Sequence, residues 1–173
     1  MWLRRQGAGQ FGAILKDDRG SVAVEFALIV TPFVALIFAI LQTGLVLYLD
    51  QSLQTATNRA GRMVMTGEAG SMNQAAFQAA VCGNLPSYFR CANVWVDLKS
   101  AGTFSSLNTT APTPTYNSQG QITNSWSFSQ GARGDVAILR VMYRWPILSS
   151  LGAGSQPNGD VLMVGTTVFQ NEP

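Results

Sequence analysis

The residue types in this chain restrict the chemistry that it can perform. The sequence has no histidine, so it lacks the commonest general base and the commonest zinc ligand of proteins. A serine or threonine nucleophile needs a base within reach, and Lys99 is the only lysine beyond residue 16. No G-x-x-x-x-G-K-[ST] loop is present to hold a phosphate. We therefore predict that the chain is not an enzyme and has no catalytic residue, metal or cofactor.

Glu25 lies inside an apolar run that extends from Val22 to Leu49 and contains no other charge. A charge at the centre of a bilayer costs about 2.5–3.5 kcal/mol. Near the end of a span the cost is smaller, because the side chain can reach the interface. Glu25 is therefore either an interfacial acid without a role or a functional acid.

Cys82 and Cys91 are the only cysteines. A metal site would need further ligands, and the C-x-x-C spacing of redox motifs is absent. In an oxidising compartment such a pair is most simply a disulfide. Closing so short a loop contributes roughly 2–3 kcal/mol in the chain-entropy model.

The apolar run exceeds the roughly 20 residues that a bilayer-spanning helix needs. It is about twice as long as the apolar region of a cleavable secretory signal, and no A-x-A site follows it. We predict a transmembrane helix over residues 21–49, in preference to a buried core helix or a removed signal.

Basic residues on the N-terminal side of the run set its orientation. They outnumber the acidic residues there, and the first positive charge after the run is Arg59. The positive-inside rule then places the N-terminus in the cytoplasm and residues 50–173 in the periplasm. The basic residues are Arg4, Arg5, Lys16 and Arg19, against Asp17 and Asp18.

Small residues recur at every fourth position of the predicted span, where they would let a second helix approach closely. Alanine and threonine are also common in membrane spans, so packing and mere composition are both open. Pro32 is expected to bend the helix, because it lacks a backbone donor. The repeated residues are Ala23, Ala27, Thr31, Ala35, Ala39 and Thr43.

Beyond the span, apolar residues step by four and three from Leu49 to Met63, which predicts an amphipathic continuation over residues 50–67 that stops at Gly67. Arg59 and Arg62 fall off this stripe and should be solvated or pair with the rest of the chain. Gly61 should weaken the helix slightly.

The rest of the chain predicts a small α+β domain over residues 68–173. A short helix over residues 72–82 has Asn73 or Ser71 as its cap. Strands are predicted over residues 93–99, 134–145 and 160–170, with Asn158-Gly159 as a turn before the third. In the first, Val94, Val96 and Leu98 should be buried, opposite Trp95, Asp97 and Lys99. We expect the strands to form an antiparallel sheet on the long helix.

Residues 100–133 are rich in polar uncharged residues and predict a long surface loop, with a weak strand at 126–128. Such a loop either contacts other subunits or is a tolerated insertion. Trp126 could stack on a sugar, although a lone aromatic residue more often belongs to a core.

The segment from Arg19 to Phe26 resembles the leader junction of type IV prepilin-like proteins, in the form found in TadE-like pseudopilins of Tad (Flp-type) pili. A charged stretch ends in Gly20, and the acid Glu25 follows five residues later, before Phe26. The resemblance extends to Asn58–Gly67, to the Cys82–Lys99 segment with its cysteine pair, and to the Asn-Glu-Pro ending.

This resemblance implies a membrane-embedded prepilin peptidase that cuts between Gly20 and Ser21 and removes a cytoplasmic leader, residues 1–20. Glu25 would then pair with the new amino group on Ser21 of a neighbouring subunit and set its register, with Phe26 beside it. It implies a pilin-like fold in the bacterial inner membrane, with other pilins or pseudopilins and Tad platform proteins as partners.

The resemblance thus points to a processed minor pseudopilin or assembly component of the Tad pilus. The alternatives are an unprocessed, membrane-anchored periplasmic scaffold and a tethered carbohydrate- or peptide-binding domain. Nucleic acid is excluded as a partner, because the net charge is only +2 and no dense Lys/Arg run occurs.

Overall fold

The computed structural model describes residues 21–119, 122–145 and 160–172. The predicted leader, Gly20 and the predicted turn at Asn158-Gly159 therefore lie outside the described residues. Helix α1 spans Ser21–Met65 and α2 spans Gln74–Gly83. Strands β1, β2 and β3 span Val94–Ala101, Val136–Trp145 and Val161–Gln170. The predicted α+β class, with a long helix and a small antiparallel sheet, is confirmed.

The chain divides into two compact units, the first ending at Val46 and the second beginning at Leu47. The described part of the first unit is helical throughout, and the helix passes through Pro32 without interruption. The second unit holds the rest of α1, together with α2 and the sheet.

The sheet has the order β1-β2-β3 with both pairs antiparallel. Val96 lies beside Val141, which lies beside Gly165. Alternate residues of all three strands therefore share one face. Val94, Val96 and Leu98 are fully buried on it, as their spacing predicts.

Helix α1, from Leu49 onward, and α2 cover this face. The α1 residues Leu49, Leu53, Ala60 and Val64 join one hydrophobic core with Phe77 of α2 and with the sheet. Arg59 and Arg62 are exposed, as the periodicity of α1 predicts. In α2, the Asn73 side chain accepts a hydrogen bond from Ala76 N at 2.8 Å, which confirms one of the two predicted caps.

Helix α1 ends at Met65, and Gly67 adopts a positive φ of 78° two residues later. Glycine adopts this left-handed conformation without a steric cost. The predicted stop at Gly67 is thus the residue that turns the chain, not the last helical residue.

Two glycines set the spacing between α1 and β3. A Cβ on Gly61 would lie 2.7 Å from Thr167 Cγ2 and 3.2 Å from the Phe169 ring. A Cβ on Gly165 would collide with the Thr57 hydroxyl and lie 3.3 Å from Leu53 O. Gly61, which the sequence presents only as a weak point of the helix, therefore permits close contact with the sheet.

The outer edge of β3 is bonded to a side chain of α1. Gln54 Nε2 donates to Thr166 O at 2.9 Å, and Thr166 N donates to Gln54 Oε1 at 3.1 Å. The amide thus makes the two bonds that a neighbouring strand would make. Gln54 therefore helps to close an edge that would otherwise be open to another strand.

The loop between β1 and β2 is more ordered than a surface loop of polar residues suggests. Leu98 N donates to Ser127 O at 2.8 Å and Ser129 N donates to Leu98 O at 2.9 Å. These bonds form a parallel bridge between Leu98 and Phe128. The predicted weak strand thus exists as a single bridge at the free edge of β1.

Candidate assembly helix and the residues that position it

The first unit presents apolar side chains around the whole circumference of α1. Val22, Leu28 and Val34 are all exposed, and at about 100° per residue they lie about 120° apart around the helix axis. By length and composition, this is the one helix of the described residues that could cross a membrane, and none of its most apolar window is buried. A helix that is apolar all round needs a membrane or a large protein core to cover it.

Glu25 is exposed on the first turns of this helix. The ion pairs formed within residues 21–119, 122–145 and 160–172 join Asp97 to Lys99, Asp97 to Arg140, and Arg144 to Asp160, so none of them uses Glu25. Phe26, beside it, is 66% exposed. Any partner of these two side chains must come from outside the described part of the chain.

The stripe of small residues forms a ridge, not a flat face. Residues four apart on an α-helix are offset by about 40°. Ala23 and Thr43 therefore lie on nearly opposite sides of α1, whereas any three consecutive members share one side. The threonines of the ridge bond inward, with Thr31 Oγ1 donating to Ala27 O at 2.7 Å and Thr43 Oγ1 to Ala39 O at 2.9 Å. Their exposed surface is thus largely methyl.

Cys82 and Cys91 form a disulfide, with their Cα atoms 5.6 Å apart. The bond joins the end of α2 to the turn that precedes β1. Within the closed loop, Phe89 is buried and packs edge-on against Tyr143, with ring centroids 4.7 Å apart. The predicted disulfide is present in the structure, and it restrains a loop that is also anchored by an aromatic side chain.

An acid that the strand pattern placed in solvent is buried. Asp97 is 2% exposed and accepts a hydrogen bond from Ser127 N at 3.1 Å. Its Oδ2 lies 3.3 Å from Lys99 Nζ and 3.6 Å from Nη1 of the buried Arg140. The expectation that Asp97 faces water was wrong, because residues near Ser127 return beside β1 and bond to its carboxylate. In the sequence, only the opposite charges of Asp97 and Arg140 could have indicated this ion pair.

Trp126 lies in the same part of the molecule. It is half-buried, and its Nε1 atom is buried without a hydrogen-bond partner among the described residues. With Asp97, Lys99 and loop residues it lines a cavity of 260 Å³. The ring is therefore partly packed in the loop and partly open to this cavity.

The Asn-Glu-Pro ending, to which the sequence assigned no chemistry, has a structural role. Asn171 Nδ2 donates to Gln130 O at 2.8 Å and to Ala132 O at 3.0 Å. Glu172 N donates to Met65 O, the last residue of α1, at 3.0 Å. The end of the chain thus ties α1 to the loop that precedes β2.

Comparison with known families gives one match. The model of the family described as TadE-like protein matches residues 20–62. This part of the chain, the TadE-like segment, is similar to that family. The TadE-like segment begins at Gly20, includes Glu25, and continues through most of α1. The comparison with curated proteins and the comparison with solved structures each give no match.

The match confirms the resemblance over the TadE-like segment and indicates a component associated with the Tad pilus machinery. It covers the exposed apolar helix and the part of α1 that packs on the sheet. The sheet, the disulfide and the loop after β1 lie outside it. No described residue tests the predicted roles of Gly20 and Ser21, because residue 20 and the side chain of residue 21 are not described.

Proposed function

We propose that the chain is a minor pseudopilin or assembly component of the Tad pilus, anchored in the bacterial inner membrane by α1. A prepilin peptidase cuts it between Gly20 and Ser21. The N-terminus then lies on the cytoplasmic side and the second unit in the periplasm. The observation that carries the proposal is the match of the TadE-like family from the residue just before the predicted cut.

The exposed helix supports this proposal. Its apolar circumference suits a lipid environment before assembly and the side of another helix afterwards. Packing of helices in a membrane favours small residues at the contact, and the ridge from Ala23 to Thr43 supplies them. Because the ridge winds around α1, different parts of it would meet different neighbours.

Glu25 supports the same proposal. Cleavage before Ser21 would create an α-amino group whose reference pKa is about 8, so most of it would be cationic at neutral pH. Glu25 has no cation among the described residues. A new amino terminus of a neighbouring subunit would compensate its charge in lipid, where an isolated carboxylate is costly.

The disulfide supports the periplasmic side for the second unit. Disulfides persist in the periplasm and are rare in the cytosol of most bacteria. A loop closed by Cys82 and Cys91 is consistent with export of this unit.

Processing is tested by co-expressing the full chain with a prepilin peptidase and sequencing the N-terminus of the protein recovered from membranes. We expect Ser21 as the first residue, and we expect Gly20→Leu to remain uncut. Gly44→Ala, a substitution within the helix with nothing within 4 Å of the added Cβ, is the control that should still be cut. Recovery of wild-type protein with residues 1–20 attached would favour the unprocessed scaffold instead.

A further inference from the structure

The loop between the two cysteines carries two consecutive aromatic side chains, of which one is buried and the other is exposed. Phe89 points into the core, where it contacts Tyr143, and its backbone N donates to Pro86 O at 3.0 Å. Arg90 N donates to the Tyr143 hydroxyl at 3.2 Å. Tyr88 packs beside Phe89, with ring centroids 5.2 Å apart, but is itself 39% exposed.

Tyr88 meets a second exposed tyrosine, on α1. The ring centroids of Tyr48 and Tyr88 are 6.3 Å apart, and the Tyr88 hydroxyl lies 3.3 Å from Ser52 Oγ. Tyr48 is 60% exposed. The two phenol rings thus form one exposed patch, which we call the tyrosine patch.

The position of the tyrosine patch in the sequence indicates its surroundings. Tyr48 is next to the last residue of the apolar run, and Asp50 is the first charge after it. Tyrosine is enriched at both surfaces of a membrane, since its ring is apolar and its hydroxyl prefers water or headgroups. Arg90, exposed two residues after Tyr88, adds a cation that a lipid phosphate can contact.

We propose that the tyrosine patch lies in the lipid headgroup layer, so that the disulfide-closed loop seats the second unit on the membrane surface. This inference rests on the membrane anchoring in the proposed function. The occupant is lipid and not a protein, because the patch continues directly from an apolar run of membrane-spanning length. The negative charge of Asp50 offsets the positive charge of Arg90. The main contact with lipid is therefore made by the two aromatic rings and not by a net charge.

The test uses the full chain in lipid-bilayer nanodiscs that contain a small share of lipids with a gadolinium-chelating headgroup. Tyrosines are labelled as 3-fluorotyrosine and methionine methyls with ¹³C. Single Tyr→Phe and Met→Leu variants assign the signals. Met65 is the distal reference, because it lies about 26 Å further along α1 than Tyr48 at 1.5 Å per residue.

We expect the paramagnetic relaxation of Tyr48 and Tyr88 to exceed that of the Met65 methyl at least tenfold, since the effect falls steeply with distance. If Tyr48 relaxes strongly and Tyr88 relaxes no faster than Met65, the inference is wrong while membrane anchoring stands. If neither tyrosine relaxes more than Met65, anchoring itself fails, and the proposed function fails with it.

Discussion

Gly165 of β3 lies directly against Thr57 of α1, and its missing side chain is what allows the contact. A Cβ there would collide with the Thr57 side chain, which is itself fully buried and bonded to Leu53 O at 2.8 Å. Because Thr57 is held in place by the helix, it cannot move aside at low cost. Substitutions at Gly165 and Thr57 therefore test how closely α1 packs on the sheet.

We expect Gly165→Ala to lower the free energy of unfolding by about 1–3 kcal/mol, the usual cost of overpacking a core. Adding Thr57→Ala should restore part of the loss, because the clashing hydroxyl is removed. Urea denaturation of the full chain in detergent measures both. Gly83→Ala, where nothing lies within 4 Å of the added Cβ, is the control. An unchanged stability of Gly165→Ala would show that α1 and β3 can separate freely.

Asp97 gives a second prediction at this scale. We expect Asp97→Asn to lower the free energy of unfolding by about 3 kcal/mol or more, because Arg140 would remain charged and buried without its partner. Lys99→Gln should cost less than about 1 kcal/mol, since Lys99 is a third exposed and water screens its charge. Equal costs for the two variants, measured by urea denaturation, would contradict this account.

At the scale of elements, the sequence predicted correctly the buried faces that follow from the local spacing of apolar residues. The alternation of Val94, Val96 and Leu98 predicted the buried face of β1, and the spacing after Leu49 predicted the buried stripe of α1. It failed where a distant segment decides burial. Asp97 is covered because residues near Ser127 return beside β1, and no local pattern contains that contact.

Residues of the candidate site and its surroundings also fall into two groups: those that residue type and spacing identify, and those whose role depends on distant contacts. Glu25 and the cysteine pair could be found from residue type and spacing, because an acid in an apolar run and two lone cysteines each have few explanations. Gly61 was misjudged, since its role depends on Thr167 and Phe169, over a hundred residues later in the chain. Sequence alone does not identify which of the two neighbours Tyr88 and Phe89 is exposed and which is buried.

The end of the chain makes a prediction that belongs to the joining of elements. We expect Asn171→Ala to lower the free energy of unfolding by roughly 1–3 kcal/mol, because the buried Asn171 amide makes two hydrogen bonds, to the carbonyls of Gln130 and Ala132, and both are lost. The neighbour Gln170 also bonds a carbonyl but is exposed, so Gln170→Ala should cost less than about 1 kcal/mol. Hydrogen exchange at Glu172 N should accelerate only in the Asn171 variant. Equal protection in both variants would show that Asn171 does not hold the chain end against α1.

At the scale of the whole molecule, the two units differ in the exposure of their apolar residues. The second unit buries its apolar residues in a core of its own, whereas the first exposes them around a helix. A water-soluble monomer would have to cover that helix at a cost that nothing in the described residues offsets. The first unit therefore requires an apolar environment, first lipid and then, in the proposed function, other subunits.

Glu25 makes the last prediction, because its charge matters only when subunits meet. We expect Glu25→Gln to be processed like the wild type but to be recovered with other pilus subunits about tenfold less, since a buried charge pair loses one partner. Glu25→Asp, which keeps the charge on a shorter side chain, should recover part of the association. An α-amino group, with its reference pKa near 8, loses its positive charge as the pH rises well above that value, so the pairing should be lost at high pH. Wild-type association, measured by co-purification from membranes after cross-linking, should therefore fall at high pH, while that of Glu25→Gln stays low and constant. Equal recovery of wild type and Glu25→Gln at every pH would show that the carboxylate is an interfacial acid without a role in assembly.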